Sequence, residues 1–226
     1  MHERPFHRAA NHVQRFLVVS AWFLLVTLPL WWGLVALAPV VANALVFALT
    51  ALPVGPAFVG ALYAIERSSG PDEDRTPTQL YLDGVRQGWR QALVFWVPFL
   101  AVATAGVVTT MSGAGDTGVG AAWQVAFALV LVVAVPWLLI CLTVVANFTF
   151  RSRDVARLSM FYTLTKPLVS LGLLALVVGL GLLVAQTFDW VVAPLGGVIA
   201  WAVVTLTRPA VDHLTDHFVT QDAPAE

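Results

Sequence analysis

Every cation in this sequence lies on one side of an even number of apolar runs. The twelve Lys and Arg residues fall into four groups. Arg4, Arg8 and Arg15 precede the first run, and Arg67, Arg75, Arg86 and Arg90 lie between the second and third. Arg151, Arg153, Arg157 and Lys166 lie between the fourth and fifth, and Arg208 follows the sixth. The three intervening connections, around Pro39, Asp116 and Asp189, carry none. Cationic loops stay on the side of synthesis because carrying them across a bilayer is unfavourable. The alternation predicts an all-α, polytopic six-helix transmembrane bundle, a single integral membrane domain with both termini in the cytoplasm.

Composition points the same way. The 226 residues are 59% hydrophobic and 11% charged, with mean hydropathy +0.82, whereas a soluble domain carries about 25% charged residues. Twelve cations divided among four segments form no basic surface for nucleic acid. The dominance of Arg over a single Lys suggests a GC-rich prokaryotic genome, hence a prokaryotic plasma membrane. Cys141 is the lone cysteine, which excludes an intrachain disulfide and a Cys-based zinc site.

A helix crossing the hydrocarbon needs about 20 apolar residues. The runs at 16–37, 41–65, 92–111, 122–147, 168–185 and 191–206 supply them. The first exceeds the roughly 7–15-residue apolar core of a secretory signal and is expected to be retained. Backbone groups in lipid must pair within their own segment, so the runs are predicted helical. Trp31, Trp32, Trp123 and Trp190 would mark the outer boundary, and Trp89 and Trp96 the inner one. Pro29, Pro53, Pro56, Pro98, Pro136 and Pro194 interrupt the runs, and each removes a backbone donor. Small residues spaced for close helix approach lie in the second run, at Ala175, Gly179, Gly181 and Ala185 in the fifth, and at Gly196 and Ala200 in the sixth. They predict packing within the chain, with homo-oligomer formation as the alternative.

The cytoplasmic segments carry local signals. Thr76-Pro77-Thr78-Gln79 has the form of a capping box. It predicts a helix with Tyr81, Val85 and Trp89 on one stripe and Asp83, Arg86 and Arg90 on another, lying along the inner interface before bending into the third span. Ser152 is a predicted N-cap for a similar helix with an apolar stripe of Val155, Leu158 and Tyr162. Val211, Leu214 and Phe218 predict a third short stripe. Hairpin, inner helix, hairpin suggests a repeated unit.

Ionisable side chains are absent from the centres of all six runs. Proton and ion relays need them there, so active proton-coupled transport is disfavoured. Asn43, Gln124 and Asn147 are the amides that would line a path for a neutral solute. His213 and His217 have the spacing zinc uses on one helix face, without the intervening glutamate of a metalloprotease. No nucleophile elbow, phosphate loop or dinucleotide fingerprint occurs. The expectation is a non-enzymatic protein with no cofactor and no metal site.

The stretch from Leu52 to Arg67 resembles the signature of the YesL-like bacterial integral membrane proteins, a family of uncharacterised function, through Gly55, Pro56, Ala57, Ala61, Leu62, Tyr63 and Arg67. Tyr81, Trp89 and Arg90 match its looser second part, and Pro167 precedes the fifth run as in that family. The resemblance implies an accessory role in carbohydrate transport. Independently of it, Pro53, Gly55, Pro56, Ala57, Gly60, Ala61 and Tyr63 form a kinked, closely packing or hinge segment. Arg67, Arg86, Trp89, Arg90, Arg153 and Arg157 are the candidate residues for docking a membrane transporter complex. The alternative is a small carrier or channel for a neutral solute.

Overall fold

A computed structural model of the chain describes residues 5–38, 40–68, 75–111, 118–186 and 195–218, and every regular element among them is helical. Helix α1 spans Pro5–Ala36, and a 3-10 turn at Val41–Asn43 leads into α2, Ala44–Thr50. Then follow α3 (Val54–Arg67), α4 (Pro77–Met111), α5 (Gly118–Asn147), α6 (Ser152–Thr165), α7 (Pro167–Gln186) and α8 (Gly196–Phe218). Among the described residues, four stretches are long and apolar enough to cross a membrane: Val13–Ala36, Val41–Arg67, Pro77–Met111 and Gly120–Asn147. The bent pair of α6 and α7, meeting at 96°, makes a fifth if counted as one span. The exterior suits lipid: Val35 is 87% exposed and Leu168 84%. Apolar surface on this scale marks contact with membrane or protein, not water.

The capping box forms reciprocally. The Gln79 backbone N–H donates to Thr76 Oγ1 at 3.3 Å, and the Thr76 N–H donates to Gln79 Oε1 at 3.2 Å. From Pro77 the helix continues unbroken for 35 residues, about 52 Å at 1.5 Å per residue. The expected bend between an interfacial helix and the third span is therefore absent. The cause is protein contact. Leu80, Tyr81, Gly84 and Gly88 are buried, with Gly84 against Tyr63 and Gly88 against Val59 of α3. Trp22 of α1 stacks on Tyr81 at 6.2 Å and donates its indole N–H to Thr78 Oγ1 at 3.1 Å. Tyr81 and Trp89 consequently part company: the first is fully buried, the second 44% exposed.

Helix α6 also departs from expectation at its start. Its N-cap is Arg151, with no side-chain capping bond, and Ser152 is already helical. Val155 and Tyr162 of the anticipated stripe are buried. The corner into α7 follows from Pro167, which disfavours helical geometry in the residue before it; Lys166 sits at φ −117°, ψ 70°. Lys166 Nζ donates to the Pro209 carbonyl of α8 at 3.1 Å, and Ser170 Oγ donates to the Thr163 carbonyl at 2.9 Å, bracing the bend. A continuous α4 and an α6–α7 pair bent by 96° share no repeated geometry.

Helix α8 passes through Pro209 without interruption, so Val211, Leu214 and Phe218 belong to its continuation, not to a separate element. Its first turn fits closely on α1. The Gly197 N–H donates to Ser20 Oγ at 3.0 Å, and a Cβ there would lie 2.9 Å from the Phe16 carbonyl. In α7, by contrast, Gly179 and Gly181 have no neighbour within 4 Å of a built Cβ. The packing within the chain expected of that run is missing at these two positions. Pro29, Pro98 and Pro136 sit inside unbroken helices. The connections at Asp116 and Asp189, with Trp190 and Pro194, lie outside the described residues.

Candidate functional site

The second apolar run is broken where its prolines stand. Helix α2 ends at Thr50, and α3 begins at Val54 with Pro53 as its N-cap. Pro53 and Pro56 lack N–H groups, which frees carbonyls one turn earlier. The Thr50 hydroxyl donates to the Phe47 carbonyl at 2.9 Å, and the Val54 N–H to the Ala51 carbonyl at 3.1 Å. A second donor for Ala51 comes from another helix: Trp96 of α4 gives its indole N–H at 2.9 Å. Its side chain lies over Gly55, where a Cβ would come within 2.6 Å of Trp96 Cγ. Trp96 is therefore an internal strut at the break, not the inner-boundary anchor its sequence position suggested.

Beyond the break α3 is enclosed. All eleven residues at 55–65 are buried, with Phe23 of α1 against Phe58 at 6.4 Å and α4 along Gly60 and Tyr63. Gly55, Pro56, Ala57, Gly60, Ala61 and Tyr63 thus form the packed axis of the bundle and present no free docking face. The end of α3 is held by the Ser68 carbonyl, which accepts from Arg15 of α1. Arg67 turns back over the Tyr63 ring, 4.5 Å from its centroid.

The other candidate cations lie outside. Arg86 and Arg90 are exposed on α4, and Arg90 sits 5.2 Å from the Trp89 ring centroid. Arg153 and Arg157 are exposed on α6. Near these cations Gln91 ties α4 to the α5–α6 connection, its Nε2 donating to the Phe150 carbonyl at 2.8 Å.

The three amides are not brought together. Asn43 Nδ2 donates to the Ala38 carbonyl at 2.9 Å, and Asn147 Nδ2 to the Thr143 carbonyl of its own helix at 3.1 Å. Gln124 is exposed near the other end of α5, about 34 Å from Asn147 along the helix axis. An apolar cleft of about 370 Å³ does lie between α1, α2 and α4, beside the break, and Thr104 is its one polar side chain; none of the amides lines it. No described cleft brings Asn43, Gln124 and Asn147 together: Asn43 and Asn147 donate to nearby carbonyls and Gln124 is exposed. The hydroxyls behave alike, with Thr27, Thr143 and Thr205 donating to carbonyls of their own helices. Among the described residues no cluster of three His, Cys, Asp or Glu could hold a metal; the side chains of His213 and His217 fall outside the described set.

Sequence reasoning passed over Trp96 as a strut and Trp137 as a tie, its indole N–H donating to the Ala156 carbonyl of α6 at 3.2 Å. The available signal was a tryptophan opposite glycine or alanine on a neighbouring helix. No protein-family model matches this chain, and no curated protein or solved structure matches it.

Proposed function

We propose that this chain is a non-enzymatic accessory component of a transport system in a prokaryotic plasma membrane, docking a partner through the exposed face of α4. In this reading α7 and α8 complete six spans, and both termini are cytoplasmic. The observation that carries it is the two-sidedness of the 77–91 stretch of α4. Leu80, Tyr81, Gly84 and Gly88 are buried among α1 and α3, while Arg86, Trp89 and Arg90 are exposed. Tryptophan and arginine are the residues that most often dominate protein interfaces. The link to carbohydrate uptake rests on the YesL-like resemblance.

The direct experiment is co-purification from mild detergent without crosslinking. Wild type should recover a transporter partner in stoichiometric amount, and Arg86→Glu with Arg90→Glu should reduce recovery to background while membrane insertion is unchanged. Unaltered recovery rules out this face. Solute flux in proteoliposomes holding this chain alone would replace the accessory role with that of a carrier.

The threading has its own test. In a Cys141→Ala background, a membrane-impermeant thiol reagent applied to intact cells should modify Gly115→Cys and leave Ser152→Cys untouched. The opposite labelling would invert the topology and remove the docking face from the cytoplasm.

A further inference from the structure

An open groove of about 690 Å³ runs along α5 where α6 crosses it. Leu129 and Val133 line its far end, Trp137 and Met160 line the end beneath α6, and Arg157 is the charged residue that borders it. The bond from Trp137 to the Ala156 carbonyl fixes α6 over that end. Its depth can be placed from α4: Phe95 packs edge-on against Trp137 at 6.0 Å, and Phe95 lies five residues, about 7.5 Å, beyond Arg90. The Trp137 end thus lies about 7.5 Å past the level of Arg90. From there the wall continues eight residues toward Leu129, about 12 Å into the apolar middle of α5.

The exposed face of α6 is graded in the same sense. Arg153 and Arg157 stand one turn apart, followed by exposed Met160, Phe161 and Leu164. Among the described residues neither arginine has a hydrogen-bond or ion-pair partner. Asp154, the nearest carboxylate in sequence, is exposed one residue from Arg153 and three from Arg157, and forms no ion pair with either.

We propose that this groove is a binding site for one anionic phospholipid, with an acyl chain along α5 and the phosphate on Arg157 and Arg153. The cation pair calls for a phosphate, which guanidinium groups grip with paired N–H donors. The trough calls for hydrocarbon, since its lining on α5 is apolar. A lipid joins both chemistries in one molecule. The assignment takes Arg153 and Arg157 out of the partner-docking set and stands whether or not the transport role does.

Native mass spectrometry of the full chain, released from detergent with matched-chain phosphatidylglycerol or phosphatidylcholine, provides the test. Wild type should retain the anionic lipid at least tenfold better. Arg153→Gln with Arg157→Gln should equalise the two, and Val133→Trp, which fills an exposed trough, should remove the retained lipid while leaving both arginines in place. Equal retention by wild type, or an undiminished preference in the double variant, overturns the site. So does a disulfide-linked dimer through Val133→Cys, which would put a second copy in the groove.

Discussion

Gly84→Ala should destabilise the detergent-purified protein by about 1–3 kcal/mol, and Gly179→Ala should not. The two substitutions add the same methyl group to the same kind of helix. At Gly84 the new Cβ would stand 2.6 Å from Tyr63 Cβ and 3.1 Å from Gly60 Cα. Both atoms are fixed to the α3 backbone, so relief requires moving one helix against another. Gly60 is the reciprocal position, 2.9 Å from the Tyr81 carbonyl. Gly179 meets nothing within 4 Å, and alanine is the better helix former by about 1 kcal/mol. Thermal retention of a monodisperse peak should therefore fall for Gly84→Ala and hold or rise for Gly179→Ala. Equal behaviour would mean that α3 and α4 are not in the contact described.

Trp96→Ala should cost about 3 kcal/mol, the second large effect. It removes the ring packed over Gly55 and the donor to the Ala51 carbonyl together. Trp96→Phe separates the two, keeping an aromatic ring and losing the hydrogen bond, for about 1 kcal/mol. If Trp96 were a headgroup anchor, phenylalanine and alanine would differ little in the stability of the detergent-solubilised protein. A graded series in that measurement identifies the strut, and equality removes it.

Some of this architecture was legible in the residues. Continuous apolar runs gave helices because no other open structure satisfies its backbone in lipid. Thr76 and Gln79 gave a helix start because the two reciprocal bonds need only local geometry. Pro53 and Pro56 gave the break for the same reason. The rest depended on partners distant in sequence. An amphipathic stripe at Tyr81 looks the same whether it meets headgroups or neighbouring helices, so the unbroken course of α4 was hidden. Trp89 and Trp96 are both apolar rings with one polar tip; only the position of Gly55 and Ala51 distinguishes anchor from strut. Gly179 and Gly196 share a spacing rule, yet one is bare and the other would collide with Phe23. The amides failed to converge because Asn147 had a carbonyl one turn back within reach.

The enclosure of α3 has a consequence for how such a protein is made. Its neighbours come from both earlier and later in the chain: α1 precedes it, while α4, α5 and α8 follow. When α3 first leaves the translocon, its notched glycine surface has only α1 to lie against. It stays partly bare until α8 is synthesised. A nascent chain stalled before Gly196 would therefore present an uncapped seam for membrane proteases to recognise.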